Sequence, residues 1–345
     1  MIQLDLPLWG DVTVFVIAAI VIGIGGVKLA EYADRLADRT GLGEAVTGTI
    51  MLGLITALPG LAASVTAALQ GNAVLALSNA MGGIAFQTTV LALADLLHRN
   101  ANLEHAAASA TTMMQTIMLI LLISIVLLGL SSPDVVVGPV HPATLLLLGG
   151  AALAFWLTYR VKERPMWHPH ETAETVADEP AEGSQYERLW LLWTGLIVAG
   201  LLTLISGSLV AETAANIQEK TGISASLIGG FLMAGATSLP ELVTCLAAVK
   251  RGALTLAVSD IVGGNFFDVL FIAAADCFFL GGSLYHASGV GMREFFLISI
   301  TLLLNVILLS GLIYRQKHGP ANIGFESVLM LVLYLGGFVI LSFMY

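Results

Sequence analysis

A chain of 345 residues that is 57% hydrophobic and only 11% charged, with a mean hydropathy of +0.90, does not have the make-up of a water-soluble globule. The formal net charge of −10, with no basic stretch or aromatic platform, excludes nucleic acid as a partner and leaves the lipid bilayer. No nucleophile–base pair, Gly-rich phosphate loop or zinc motif is present, so neither an enzyme nor a bound cofactor is expected.

About 20 apolar residues cross a bilayer, and only helices or closed barrels can do so. Long apolar runs without period-two alternation select helices. Ten such runs are read at 12–32, 44–70, 72–97, 107–130, 142–160, 188–210, 222–249, 253–280, 291–314 and 322–344. The stretch before the first, Met1 to Asp11, has no Arg or Lys, so a cleaved signal peptide is not expected and the first span is retained. Most connections are short. The exception is 161–187, where Pro165, His168, Pro169 and His170 precede Glu171, Glu174, Asp178, Glu179 and Glu182. It reads as an acidic solvated linker between a first half, 1–160, and a second half, 188–345, of five spans each. Cys245 and Cys277 lie in apolar runs without ligand spacing and are expected to be buried small residues.

The basic residues orient the chain. With the N-terminus outside, the inner side receives Lys28, Arg35, Arg39, Arg99, Arg160, Lys162, Arg164, Arg188, Lys250, Arg251, Arg315 and Lys317, and the outer side only Lys220 and Arg293. Both termini are then outside, the linker is cytoplasmic, and a prokaryotic inner membrane is the expected location.

A shift of 181 positions superposes the halves. It pairs Gly26 with Gly207, Glu31 with Glu212, Thr56 with Thr237, Pro59 with Pro240, Gly82 and Gly83 with Gly263 and Gly264, Phe86 with Phe267, and Asp95 with Asp276. Halves with an odd number of spans must be inverted in the membrane. Inverted repeats whose matching helices are interrupted by Gly or Pro point to a secondary transporter with a midplane site. The fold class expected is therefore an all-α integral membrane protein of about ten helices in two inverted five-helix repeats.

The candidate site lies between Thr237 and Asp268. An ionisable group inside a span costs about 2.5–3.5 kcal/mol even on insertion scales, so it has a functional or pairing reason to be there. Pro240 removes a backbone donor and clashes with the carbonyl of Ala236, freeing carbonyl oxygens. Thr237 and Glu241 are four residues apart and share a helix face, with Ser238 beside it. Asp260, Gly264 and Asp268 form a stripe on the next span. Hydroxyl, carbonyl and carboxylate oxygens are ligands for hard cations such as Na⁺ or Ca²⁺. Asp95 and Asp276, near their span ends, are expected to be hydrated at the interface, with a gate or vestibule as the alternative. Glu31 and Glu212 read as solvated helix ends, and Trp9, Trp156, Trp190, Trp193 and Tyr345 as interfacial anchors.

Ala236-Thr237-Ser238-Leu239-Pro240-Glu241 and Gly263-Gly264-Asn265-Phe266-Phe267-Asp268 resemble the alpha-repeats of the calcium/cation antiporter superfamily, which includes the sodium/calcium exchangers. The ten-span, two-repeat plan is similar too, so the resemblance covers nearly the whole chain. It implies ion-ligand roles for Thr237, Ser238, Glu241 and Asp268, and a cation (Ca²⁺, Na⁺ or H⁺) held at mid-membrane. The first repeat departs from the pattern: in Thr56-Ala57-Leu58-Pro59-Gly60 the serine position is Ala57 and the glutamate position Gly60, and Gln87 stands at the acid position of the next span. That half offers Thr56, Gln87 and backbone carbonyls. Asp260, where the family has Asn as this chain does at Asn79, stands as a ligand or a supporting group.

Glu241 and Asp268 can neutralise one divalent cation but not three Na⁺, because each uncompensated charge in a low dielectric is heavily penalised. The expected function is a secondary-active antiporter exchanging Ca²⁺ or another divalent cation against Na⁺ or H⁺ by alternating access. The alternatives are a monovalent cation or proton exchanger, and a transport-inactive relative serving as a membrane scaffold or sensor. Ala57→Ser together with Gly60→Glu is expected to move selectivity toward Ca²⁺.

Overall fold

The computed structural model describes residues 6–40, 53–98, 102–107, 109–163, 165–170, 172, 188–317, 319 and 323–344. The acidic run from Glu171 to Glu182, Arg99, Arg164, the start of the second expected span and Tyr345 lie outside the described residues, as does the side chain of Arg39.

Apolar runs become helices because backbone groups in lipid must be satisfied within their own segment. The long elements are α1 (Leu8–Thr40), α2 (Leu58–Leu69), α3 (Ala73–Leu97), α5 (Ala110–Ser131), α6 (Pro142–Glu163), α7 (Leu189–Thr221), α9 (Leu239–Lys250), α10 (Leu254–Phe278), α11 (Met292–Tyr314) and α12 (Phe325–Phe343). Two further helices are α4 (Leu103–Ala106) and α8 (Ala225–Thr237), the latter containing a π-helical turn at Ile228–Met233. Among the described residues eight helices are long and apolar enough to cross a membrane, and α8 with α9, bent by 51°, makes a ninth. The remaining expected span, 44–70, is described from residue 53 onward. There a helical turn at 53–56, a break at Ala57 and α2 follow the same order of helix, break and helix as α8 and α9. The protein is thus a multi-pass, all-helical membrane protein.

The 181-residue shift maps α1, α2 and α3 onto α7, α9 and α10 end for end. The glycines and prolines that it pairs make reciprocal contacts. A Cβ on Gly26 of α1 would lie 2.2 Å from the Pro240 ring, and one on Gly207 of α7 would lie 2.2 Å from the carbonyl oxygen of Pro59. Each long helix therefore presses its glycine against the proline break of the opposite half. In the same way α3 packs on α10 across the centre.

Asp95 and Asp276 are fully buried, and neither is hydrated at an interface. Each ends its helix by accepting backbone hydrogen bonds. Asp95 takes Leu103 N–H at 2.8 Å and Gly324 N–H at 3.1 Å, and Asp276 takes Leu284 N–H and His141 N–H, both at 2.8 Å. One partner in each set belongs to the opposite half, so these carboxylates tie the halves together at their two ends and are not placed as gates. Their distance from the aqueous phase follows from the loops folded over them. Around Asp95, Glu104 and Glu326 are also fully buried. Burial, with Glu326 and then Asp95 beside it, holds the Glu104 carboxyl well above the usual carboxylate range.

Two further expectations need correction. Cys245 is buried but Cys277 is exposed at the end of α10, although both are free thiols. Glu212 is not simply solvated, since Gln70 donates to it, whereas Glu31 is half-exposed beside Lys28. Trp9, Trp156, Trp190 and Trp193 are exposed near helix ends, as interfacial anchors require.

Candidate cation site

The two helix breaks meet α3 and α10 at the centre of the bundle. Pro240 lies in the first turn of α9 and Pro59 in the first turn of α2, where a missing N–H costs nothing within the new helix. The preceding turn ends in carbonyls that Pro cannot satisfy. Thr237 turns its hydroxyl back onto the carbonyls of Met233 and Ala234, at 3.1 and 3.2 Å, and Thr56 does the same onto Gly53 at 3.2 Å. Each break thus sets a carbonyl-rich helix end against the start of the next helix, whose N-terminus suits a carboxylate such as Glu241.

Thr56, Gln87, Thr237, Ser238, Glu241 and Asp268 are all buried and come together here. Gln87 and Asp268 occupy the same position in the two repeats, and they meet across the centre. The Gln87 amide donates to Asp268 Oδ2 at 2.7 Å and to Ser238 Oγ at 3.1 Å. The paired glycines flank them in the same crossed fashion. A Cβ on Gly83 would lie 3.2 Å from Asp268 Oδ2, and one on Gly264 would lie 3.3 Å from Gln87 Oε1. Gly264 also adjoins Glu241, whose Cγ is 3.9 Å from the same added atom. The Thr56 hydroxyl faces Glu241, and Asp268 is the acid that acts on Glu241 most strongly.

Two oxygens stand out from this network. Among the described residues, Glu241 Oε2 and Gln87 Oε1 are buried and meet no donor. A buried acceptor left unpaired costs about 1–3 kcal/mol, more when it is charged. Two such acceptors beside one glycine, with a second carboxylate and two hydroxyls near, are a donor set for a hard cation.

Asp260 stands apart from the other six. It is half-buried, accepts a hydrogen bond from Thr244 at 3.1 Å, and acts on Glu241 through its charge, less strongly than Asp268 does. It supports the site from one side. Its repeat mate Asn79 is more central, with its amide on Gly60 O at 3.3 Å and Ser64 Oγ at 2.9 Å and its carbonyl taking the Thr237 hydroxyl at 3.4 Å. Asn265 holds Thr88 at 3.1 Å. The cross-repeat bonds of Asn79 and the amide of Asn265 were not assigned roles from sequence, although both lie within the repeated motifs.

The position lacking its acid, Gly60, is filled by another residue. A Cβ there would start 2.6 Å from the Phe271 ring edge. Restoring a glutamate at Gly60 therefore requires the ring to move. Ala57→Ser with Gly60→Glu returns the symmetric site only if the Phe271 ring gives way.

Comparison with known proteins places this arrangement. The chain matches the family described as sodium/calcium exchanger protein over residues 11–161 and 191–344. It is 28% identical to the putative antiporter CaxA of Alkalimonas amylolytica over 85% of this chain and 88% of that protein. It is 24% identical to the inner membrane protein YrbG of Escherichia coli over 91% and 90% of the two chains. In fold it resembles the H⁺/Ca²⁺ exchanger CAX, with a TM-score of 0.72 and 13% identity over 96% of this chain and 84% of that one. It also resembles the sodium-calcium exchanger NCX_Mj soaked with Na⁺ and Sr²⁺, with a TM-score of 0.62 and 20% identity over 96% and 99%.

Proposed function

Because the chain belongs to the sodium/calcium exchanger protein family, we propose that it is a cation antiporter that exchanges Ca²⁺ or another divalent ion against Na⁺ or H⁺ at the Glu241–Asp268 site. The observation that carries this reading is the buried Glu241 Oε2, which meets no donor among the described residues, next to a second buried carboxylate and Gln87 Oε1. Two carboxylates balance one divalent ion or two monovalent ones, so each binding state is neutral and can cross low dielectric without a Born penalty. In the proposed cycle, alternating access consists of the halves 1–160 and 188–345 rocking around the site.

Thr237 and Ser238 supply hydroxyl oxygens, and Thr56 and Gln87 contribute from the opposite half. Asp260 tunes the field from the side. Both termini lie outside a prokaryotic inner membrane, with 161–187 cytoplasmic, in keeping with the distribution of Lys and Arg. A putative antiporter among the similar proteins supports antiport, and an H⁺/Ca²⁺ exchanger of similar fold supports the divalent reading. The absence of a carboxylate from Gly60 and Gln87 favours a second one, exchange of monovalent cations alone.

Purified protein in sealed vesicles, offered Ca²⁺, Mn²⁺, Mg²⁺, Na⁺ and K⁺ in turn under opposing Na⁺ or H⁺ gradients, separates these. Gradient-driven uptake of a divalent ion is expected. Flux of monovalent ions only would select the second reading, and no flux from folded protein would overturn both.

A further inference from the structure

The two halves differ most at one pair of positions. Glu241 of α9 corresponds to Gly60 of α2, and Phe271 of α10 corresponds to Val90 of α3. The helices that carry these residues pack alike, α2 on α10 and α9 on α3. The α9–α3 pair carries Glu241 and Val90, whereas the α2–α10 pair has no side chain at Gly60 and a phenyl ring at Phe271. The ring edge stands 2.6 Å and the ring tip 3.2 Å from where a Gly60 Cβ would begin. Phe271 is buried, and it lies one helical turn beyond Asp268 on the same helix.

A glycine in the first turn of α2 is not demanded by the backbone. Ala57 before it is in the ordinary right-handed region, and Gly60 itself has no positive φ. What the position lacks is room. A close-packed interior does not admit a side chain where a ring already sits.

We propose that Phe271 is a specificity-determining residue: its ring occupies the first-half acid position, limits the site to the charges of Glu241 and Asp268, and so fixes a cycle that moves no net charge. This rests on the antiport reading above. With a third carboxylate, a site loaded with one divalent ion would carry a net charge of minus one. Loaded with three monovalent ions it would be neutral, so a full cycle would transfer charge across the membrane.

The test uses the full-length protein and two readouts. The first is a thermal-stability cycle in detergent. Gly60→Ala is expected to lower the melting temperature in the wild-type background and to lose that effect in the Phe271→Val background. Equal shifts in both backgrounds would overturn the steric assignment, whether or not the protein transports anything. The second is Ca²⁺ uptake into vesicles under an imposed K⁺ diffusion potential. Wild-type uptake is expected to be indifferent to the potential, and uptake by Gly60→Glu/Phe271→Val to respond to it. A folded, transporting double variant that stays indifferent, or Gly60→Glu alone responding as the double does, would overturn the proposal. If the wild type moves no cation while the stability cycle shows the coupling, the antiport reading fails and the packing assignment stands.

Discussion

The residues that distinguish this site do so by exchanging size for charge. Gly60 and Phe271 stand where Glu241 and Val90 stand in the other half, and Gln87 meets its own repeat mate Asp268 with an amide where an acid would repel it. The carboxylates were legible in the sequence because a charge inside an apolar run needs a reason. The phenyl ring was not, because a phenylalanine in an apolar helix carries no signal by itself. Only the 181-residue shift, applied to the apolar positions as well as to the glycines and acids, would have set Phe271 against Val90. Glu104 shows the same limit: in the sequence it falls just outside a span and carries no signal of its own, yet it is buried against Glu326 and Asp95. Its folded pKa lies above the unfolded value of about 4.3, so the folded state keeps a proton that the unfolded chain releases. Its contribution is complete below that value and is lost as pH rises toward the folded pKa. Glu104→Gln, which resembles the protonated acid, is expected to gain in melting temperature relative to the wild type as pH is raised from 4 toward neutrality and beyond, by thermal unfolding in detergent (pH range set by about 4.3 as its lower edge). A constant difference across that range would contradict the assignment.

At the scale of elements, helix ends and breaks follow from recognisable local chemistry. Pro59 and Pro240 stop one helix and begin another, and the repeat places them alike. The π-helical turn at Ile228–Met233 was not legible, although Gly229 and Gly230 mark a close approach: a Cβ on Gly229 would lie 2.9 Å from the carbonyl oxygen of Leu75. The span-end acids were misread for a related reason. Whether Asp95 and Asp276 meet water depends on loops that return from the opposite half, which a linear hydropathy pattern does not contain. The reciprocal Gly–Pro contacts give a direct check. Gly207→Ala would drive a methyl group to 2.2 Å from the Pro59 carbonyl oxygen and is expected to cost about 1–3 kcal/mol, the range for overpacking. Gly149→Ala in α6 meets nothing within 4 Å and is expected to be neutral or to stabilise by up to about 1 kcal/mol through helix propensity. Equal melting temperatures for the two variants would contradict the packing of α7 on the first-half break.

The whole molecule is two related halves that share a single site. Each half supplies one broken helix and one continuous helix, and each long first helix leans on the break of the other. The sequence showed this plan because repeats preserve glycines, prolines and buried acids at one offset. It did not show that a phenyl ring would fill the first-half acid position, since that is a property of the assembled halves. On the proposed reading the loaded site is neutral, and the repeat positions of both acids, Gly60 for Glu241 and Gln87 for Asp268, carry no charge to substitute for them. The most direct measurement is isotopic Ca²⁺ uptake into vesicles by the wild type and by Glu241→Gln, at equal amounts of protein shown to be folded by thermal unfolding. Uptake by Glu241→Gln is expected to fall to the level of protein-free vesicles, and uptake at the wild-type rate would contradict a cation path through the Glu241–Asp268 pair.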